Sequence, residues 1–199
     1  MIKQLIKNIS REFVKNNKSN SFSILIQDSE YLDFMSHYDG GYFYNHSLHI
    51  YGKSNELNYH SIEYINQILN VSFLNIFEGL IAFSEDVFGN PFCFSNEGIV
   101  YFNIETGSRE LLAKDFNEWL SLLYSDLAYF TGKDLVVDND VELSYGKRLC
   151  PKLPFILGGE YLANNLILKD FEENIEFSSS IAKQVYDLPD GTEFKINIK

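Results

Sequence analysis

Between Gly79 and Ala113 four short apolar segments follow one another: GLIAFS, NPFCFS, GIVYFNI and RELLA. Each is rich in Phe, Ile, Val or Leu and too short for a helix. The breaks between them are Gly89-Asn90-Pro91, Ser95-Asn96-Glu97-Gly98 and Glu105-Thr106-Gly107, all built from turn-forming residues. Strand-length apolar runs with tight turns and no helical stretch between them predict an antiparallel meander of three or four strands. This constrains the rest of the chain, because a sheet without crossover helices must find its covering helices before or after it.

Those helices are legible on both sides. Upstream, Ile2, Leu5, Ile6, Ile9 and Phe13 share one helical face within a basic segment 1–20, so a leading amphipathic helix is expected there. Its residues leave open whether it packs on the body or projects. DSEYLDFMSHYDGG predicts a second helix, capped by Asp28 or Ser29 and ended by Gly40-Gly41. YFYNHSLHIYG reads as one strand ending at Gly52, and residues 59–70 as a short helix. Downstream, Asp115 opens a helix through about Phe130, in which Phe116, Trp119, Leu120, Leu123 and Leu127 recur at helical spacing and Thr131-Gly132 stops it. Residues 133–153 read as irregular and PFILGGEYLANNLILKD as strand, turn, strand. A helix over 170–187, interrupted near Ser178, a turn at Pro189-Asp190-Gly191 and a closing strand EFKINIK complete the reading. The expected fold is α+β, with a mainly antiparallel sheet of roughly 5–6 strands flanked by helices, in one domain over residues 1–199. Residues 134–199 form a C-terminal extension of that domain.

Charge bears on partners. The net charge is −12, distributed as +4 over residues 1–20, −11 over 21–133 and −5 over 134–199. Phosphates and anionic membranes repel such a body, so neither nucleic acid nor a membrane is an expected partner. An acidic surface suits a basic protein. The N-terminal segment lacks the apolar run of a secretory signal, no stretch is long enough to span a membrane, and two cysteines without CxxC point to reduced thiols, so a cytoplasmic location is expected.

Catalytic motifs are sparse. Thr131-Gly132-Lys133 lacks the upstream glycine of a phosphate loop, and neither GxGxxG nor GxSxG occurs. His46 and His49 would point to opposite faces of a strand. His60 and Glu63 would meet across a helical turn as a solvated pair. Glu85 and Asp86 would diverge at the strand end, with Asp86 bonding the backbone of the turn. Glu172-Glu173 suits a helix start, and Cys93 between aromatics suits an inert thiol. No catalytic residue, cofactor or metal is therefore expected.

Several of these segments resemble the SUKH superfamily. EYLDFMSHYDGGYFY is similar to its helix, Gly-Gly and strand opening. IAFSEDVFGNPFCFS followed by GIVYFNIETG resembles its acidic–Phe-Gly-Asn turn and next strand, and LLAKDFNEWLSLL its following helix. The tail from LCPKLPF to LPDGTEFKI is similar to a longer bacterial branch. The resemblance implies a non-enzymatic immunity protein that binds and neutralises a cognate polymorphic toxin domain, for which a basic nuclease-type domain is a natural candidate. The superfamily also contains intracellular scaffolds and regulators, which is the alternative. Whether the protein is a monomer or a weak dimer stays open. Exposed acids and aromatics near the central turn and the 134–142 segment are the expected contacts: Glu85, Asp86, Asp138, Asp140 and Glu142, with Tyr42 and Tyr44 as anchors.

Overall fold

The computed structural model describes residues 1–11, 26–53, 58–189 and 191–196. Its centre is a seven-stranded sheet in which every neighbouring pair is antiparallel and the strands lie in chain order. The strands are β1 (Ile9–Arg11), β2 (Gly41–Phe43), β3 (Leu48–Ile50), β4 (Ile81–Glu85), β5 (Pro91–Phe94), β6 (Ile99–Phe102) and β7 (Arg109–Ala113). The α+β class holds, with seven strands in place of five or six, and β4–β7 are the four segments of the meander.

One additional strand arises where helix and strand readings compete, the other where an expected single strand folds back on itself. The leading helix α1 covers only Ile2–Ile6, and Asn8 closes it through its side-chain bond to the Gln4 carbonyl. Ile9 then pairs with Phe43 in the sheet, and Phe13 lies outside the described residues. A short isolated helix is marginal, so the open edge of β2 wins these residues. Leu5 is fully buried in the main core, so α1 packs on the body. The expected single strand over 42–52 is a hairpin. Tyr44, Asn45 and His46 turn the chain with φ of 52°, 56° and 66°.

Helices cover both faces. On one, α2 (Ser29–His37) and α4 (Phe116–Ser125) bring Tyr31, Phe116 and Trp119 against Phe83, Phe92 and Phe94 in edge-on ring contacts. Asp28 caps α2 with one carboxylate oxygen and accepts the Phe116 N–H with the other, which ties the two helices together. On the other face α3 (Ile62–Phe73) sets Phe73 edge-on to Phe102.

The extension holds the larger corrections. The helix expected through Phe130 breaks at Asp126, which caps a separate α5 (Leu127–Thr131), and Gly132 in the left-handed region stops it as expected. Residues 133–153 are not irregular. They contain α6 (Lys133–Val137) and β8 (Lys147–Pro151). The partner of β8 is β9 (Leu166–Asp170), while the PFIL segment forms a single tight turn rather than a strand. Helix α7 (Phe171–Val185) runs unbroken through the serines, with the Ser179 and Ser180 hydroxyls bonding carbonyls of the preceding turn. Residues 192–196 form no strand, and 197–199 lie outside the described residues.

The extension is anchored on the β4–β5 turn. Val87 accepts from the Leu149 N–H and donates to the Thr131 carbonyl. Its side chain is buried with Val136, Leu143, Leu149 and Leu166 in a second, small apolar cluster.

Candidate partner-binding groove

The turn from Glu85 to Asn90 organises the chemistry of the molecule. Asp86 forms it, as the sequence predicts. Its Oδ1 accepts the N–H groups of Phe88 and Asn90 at 2.8 and 2.9 Å, and its Oδ2 accepts the Asn90 amide and the Tyr101 hydroxyl at 3.0 and 2.8 Å. Gly89 takes φ 83°, and a Cβ there would press on the Asn174 amide that holds the Phe88 carbonyl. Asp86 is buried, and desolvation pushes its carboxyl up to about 6 against those four hydrogen bonds.

Glu85 points the other way, into a closed polar cluster. Register across three strands places Tyr42, His49 and Glu85 side by side. β8 then brings Arg148 onto Glu85, with Nε and Nη2 2.9 and 2.8 Å from the same Oε1, which also accepts the Tyr59 hydroxyl. His49 bridges from Glu85 at 3.1 Å to His60 at 3.0 Å, and His60 reaches the Asp39 carbonyl at 2.7 Å. Burial keeps both imidazoles neutral: it drives His49 well below its usual range and His60 down to about 4. Burial raises Glu85, opposed chiefly by the Arg148 guanidinium.

On the Asp86 side the surface opens into a groove of about 520 Å³ between the β6–β7 end of the sheet, α5 and the 151–161 segment. Asp86 and Glu105 line it. Glu105 is 7% exposed and accepts the N–H groups of Phe155 and Ile156 at 2.9 and 2.8 Å. Desolvation raises its carboxyl as well. One wall is a packed aromatic set: Phe155 stacks on Tyr161 at 3.9 Å, and Phe88 meets both edge-on. Tyr161 and Tyr129 stay exposed at the mouth, at 59% and 74%.

The expected contacts divide accordingly. Glu85, Asp86, Tyr42 and Tyr44 are buried, so the expectation of exposed contacts there is corrected. Glu85 and Tyr42 are covered by Arg148, and Tyr44 lies against the core beneath the β2–β3 turn. Asp86 faces the groove only from its floor. Asp138, Asp140 and Glu142 are exposed beside α6, and Asp134 of α6 lines the groove. His60 is buried rather than solvated, and Cys93 and Cys150 are both buried free thiols whose ionisation burial disfavours. Among the described residues no group of three His, Cys, Asp or Glu side chains is placed to hold a metal ion.

Sequence reading missed Arg148, Glu105, Phe155 and Tyr161. Arg148 beside the apolar Leu149 and Cys150 in the run KRLCP was the available signal. The groove residues come from separate segments and carry no local pattern.

A seven-stranded antiparallel sheet with helices on both faces and a groove at one end defines an α+β fold. Residues 28–122 match the model of the SMI1 / KNR4 family (SUKH-1), which supports membership of the SUKH superfamily. The fold is also similar to the crystal structure of Atu4351 from Agrobacterium tumefaciens, with a TM-score of 0.59, 16% identity, and coverage of 90% of this chain and 88% of that one. At that identity the likeness concerns the fold alone. Its coverage extends past the family-matched segment into the extension. No curated protein matches the chain.

Proposed function

We propose that the chain is a non-enzymatic, SUKH-type immunity protein that binds and neutralises a cognate bacterial toxin domain in the cytoplasm. The observation that carries this reading is the acidic, aromatic-walled groove, lined by Asp134 of α6, the helix that leads into the exposed acids Asp138, Asp140 and Glu142. Aromatic side chains anchor protein–protein contacts, and rim charges steer the encounter. A nuclease-type toxin must hold phosphates, so its binding face is basic and complementary to this one. The groups that resembled catalytic residues have structural partners instead: Asp86 holds its turn and His60 its carbonyl. No helix among the described residues is long and apolar enough to cross a membrane.

The test is co-expression. The C-terminal region encoded by the adjacent reading frame is induced in a bacterial host with and without this protein, and colonies are counted. Rescue of growth, with a complex recovered from the purified pair, is the expected result. Killing that this protein does not relieve contradicts the reading.

A further inference from the structure

Three buried carboxylates surround the β4–β5 turn region, and one of them has a cation. Glu85 has Arg148. Asp86 and Glu105 have hydrogen-bond donors, but among the described residues no Lys, Arg or His lies within ion-pair distance of either. Among the described residues the single basic residue lining the groove is Arg109, whose guanidinium donates to the Ile76 and Glu78 carbonyls at 2.5 and 3.1 Å. Two largely desolvated carboxylates without a counter-ion are costly, and a cation entering the groove relieves that cost. The four contacts to Asp86 occupy its oxygens, whereas each Glu105 oxygen accepts one N–H and has room for a second donor.

We propose that the groove is the receptor for an arginine side chain of the protein partner, with the guanidinium bonding Glu105 and lying against the Tyr161 and Tyr129 rings. Arginine fits better than lysine. Its planar fork can bond a carboxylate with two N–H groups while its face stacks on an aromatic ring. The partner's arginine thereby does for Glu105 what Arg148 does for Glu85 within the chain. This rests on the reading of the chain as a protein-binding module and specifies the chemistry that the groove selects.

The experiment uses the free, isotope-labelled protein and N-acetyl-arginine amide as probe. The neutral isostere N-acetyl-citrulline amide and N-acetyl-lysine amide are the controls. Saturable shifts of the Phe155 and Ile156 amide signals are expected, with a dissociation constant on the order of 1 mM, as befits so small a ligand. Citrulline gives no saturation, and lysine binds several-fold more weakly. Glu105→Gln weakens arginine binding by about 10-fold, and Tyr161→Ala, at an exposed position, by a few-fold without altering the fold. Flat titrations, saturation mapped away from the groove, or equal binding of citrulline or lysine overturn the proposal. No toxin is needed, so this outcome and that of the co-expression test are independent.

Discussion

Glu85 and Asp86 are consecutive residues, both buried, and they belong to different kinds of site. Glu85 lies in a closed cluster that supplies its own cation and bonds sheet, hairpin and helix cap into one unit. Asp86 lies at the floor of an open groove, where Glu105 has no cation within ion-pair distance among the described residues. A one-residue step along a strand end thus separates a carboxylate paired with an arginine from one held by neutral donors. The difference shows that burial of a carboxylate does not say what it is for. Whether the chain itself supplies the counter-ion does.

The comparison predicts the largest effect in the closed cluster. Arg148→Met leaves Glu85 buried without its cation and should cost about 3–5 kcal/mol in urea unfolding. The double variant Arg148→Met, Glu85→Leu should recover much of that loss, because no buried charge remains. A double variant as unstable as the single one would show that the cluster is held by packing rather than by charge.

The two sites should also titrate in opposite senses. His60 is held down to about 4 in the fold, against about 6.5 in the unfolded chain. The unfolded chain therefore takes up this proton first as pH falls, and the stability tied to neutral His60, full above about pH 6.5, is lost toward pH 4. Asp86 is raised to about 6 from an ordinary value near 3.8. There the fold takes up the proton first, so its burial cost, present above about pH 6, is relieved as pH falls to 3.8. Over these windows the stability difference between wild type and His60→Gln should shrink on acidification, and that between wild type and Asp86→Asn should grow. Each changes by at most about 1.4 kcal/mol per pH unit. Parallel trends in the two variants would break the distinction.

The smallest stability effect is expected in the groove. Glu105→Gln keeps one carbonyl acceptor for the Phe155 and Ile156 N–H groups and should change unfolding free energy by about 1 kcal/mol. Loss of several kcal/mol would mean that Glu105 is a structural residue like Glu85.

The parts of this account that were legible in the sequence are local. Asp28 and Asp115 cap their helices through carboxylates, Gly132 ends α5, and short runs of turn residues separate β4 to β7. Each depends on residues a few positions apart. Ile9 was misread because its helical spacing competes with a strand edge supplied by Phe43, far along the chain. β8 was missed for a similar reason: Arg148 looks unsuitable for burial until Glu85 and Tyr59 meet it. Of the candidate contacts, Asp138, Asp140 and Glu142 are on the surface, while Glu85 is buried against Arg148, a cation 63 residues away in the chain. The groove combines Asp86, Glu105, Tyr129 and Tyr161, which only the tertiary fold brings together.

The central claim is that the groove, and not the closed cluster, meets the partner. Hydrogen exchange on the purified complex with the toxin domain from the adjacent reading frame tests it most directly. Slowed exchange is predicted at Phe155, Ile156 and in α5 around Tyr129, with the amides around His49 and Glu85 unchanged. Protection confined to another surface, with the groove amides exchanging as in the free protein, would contradict it.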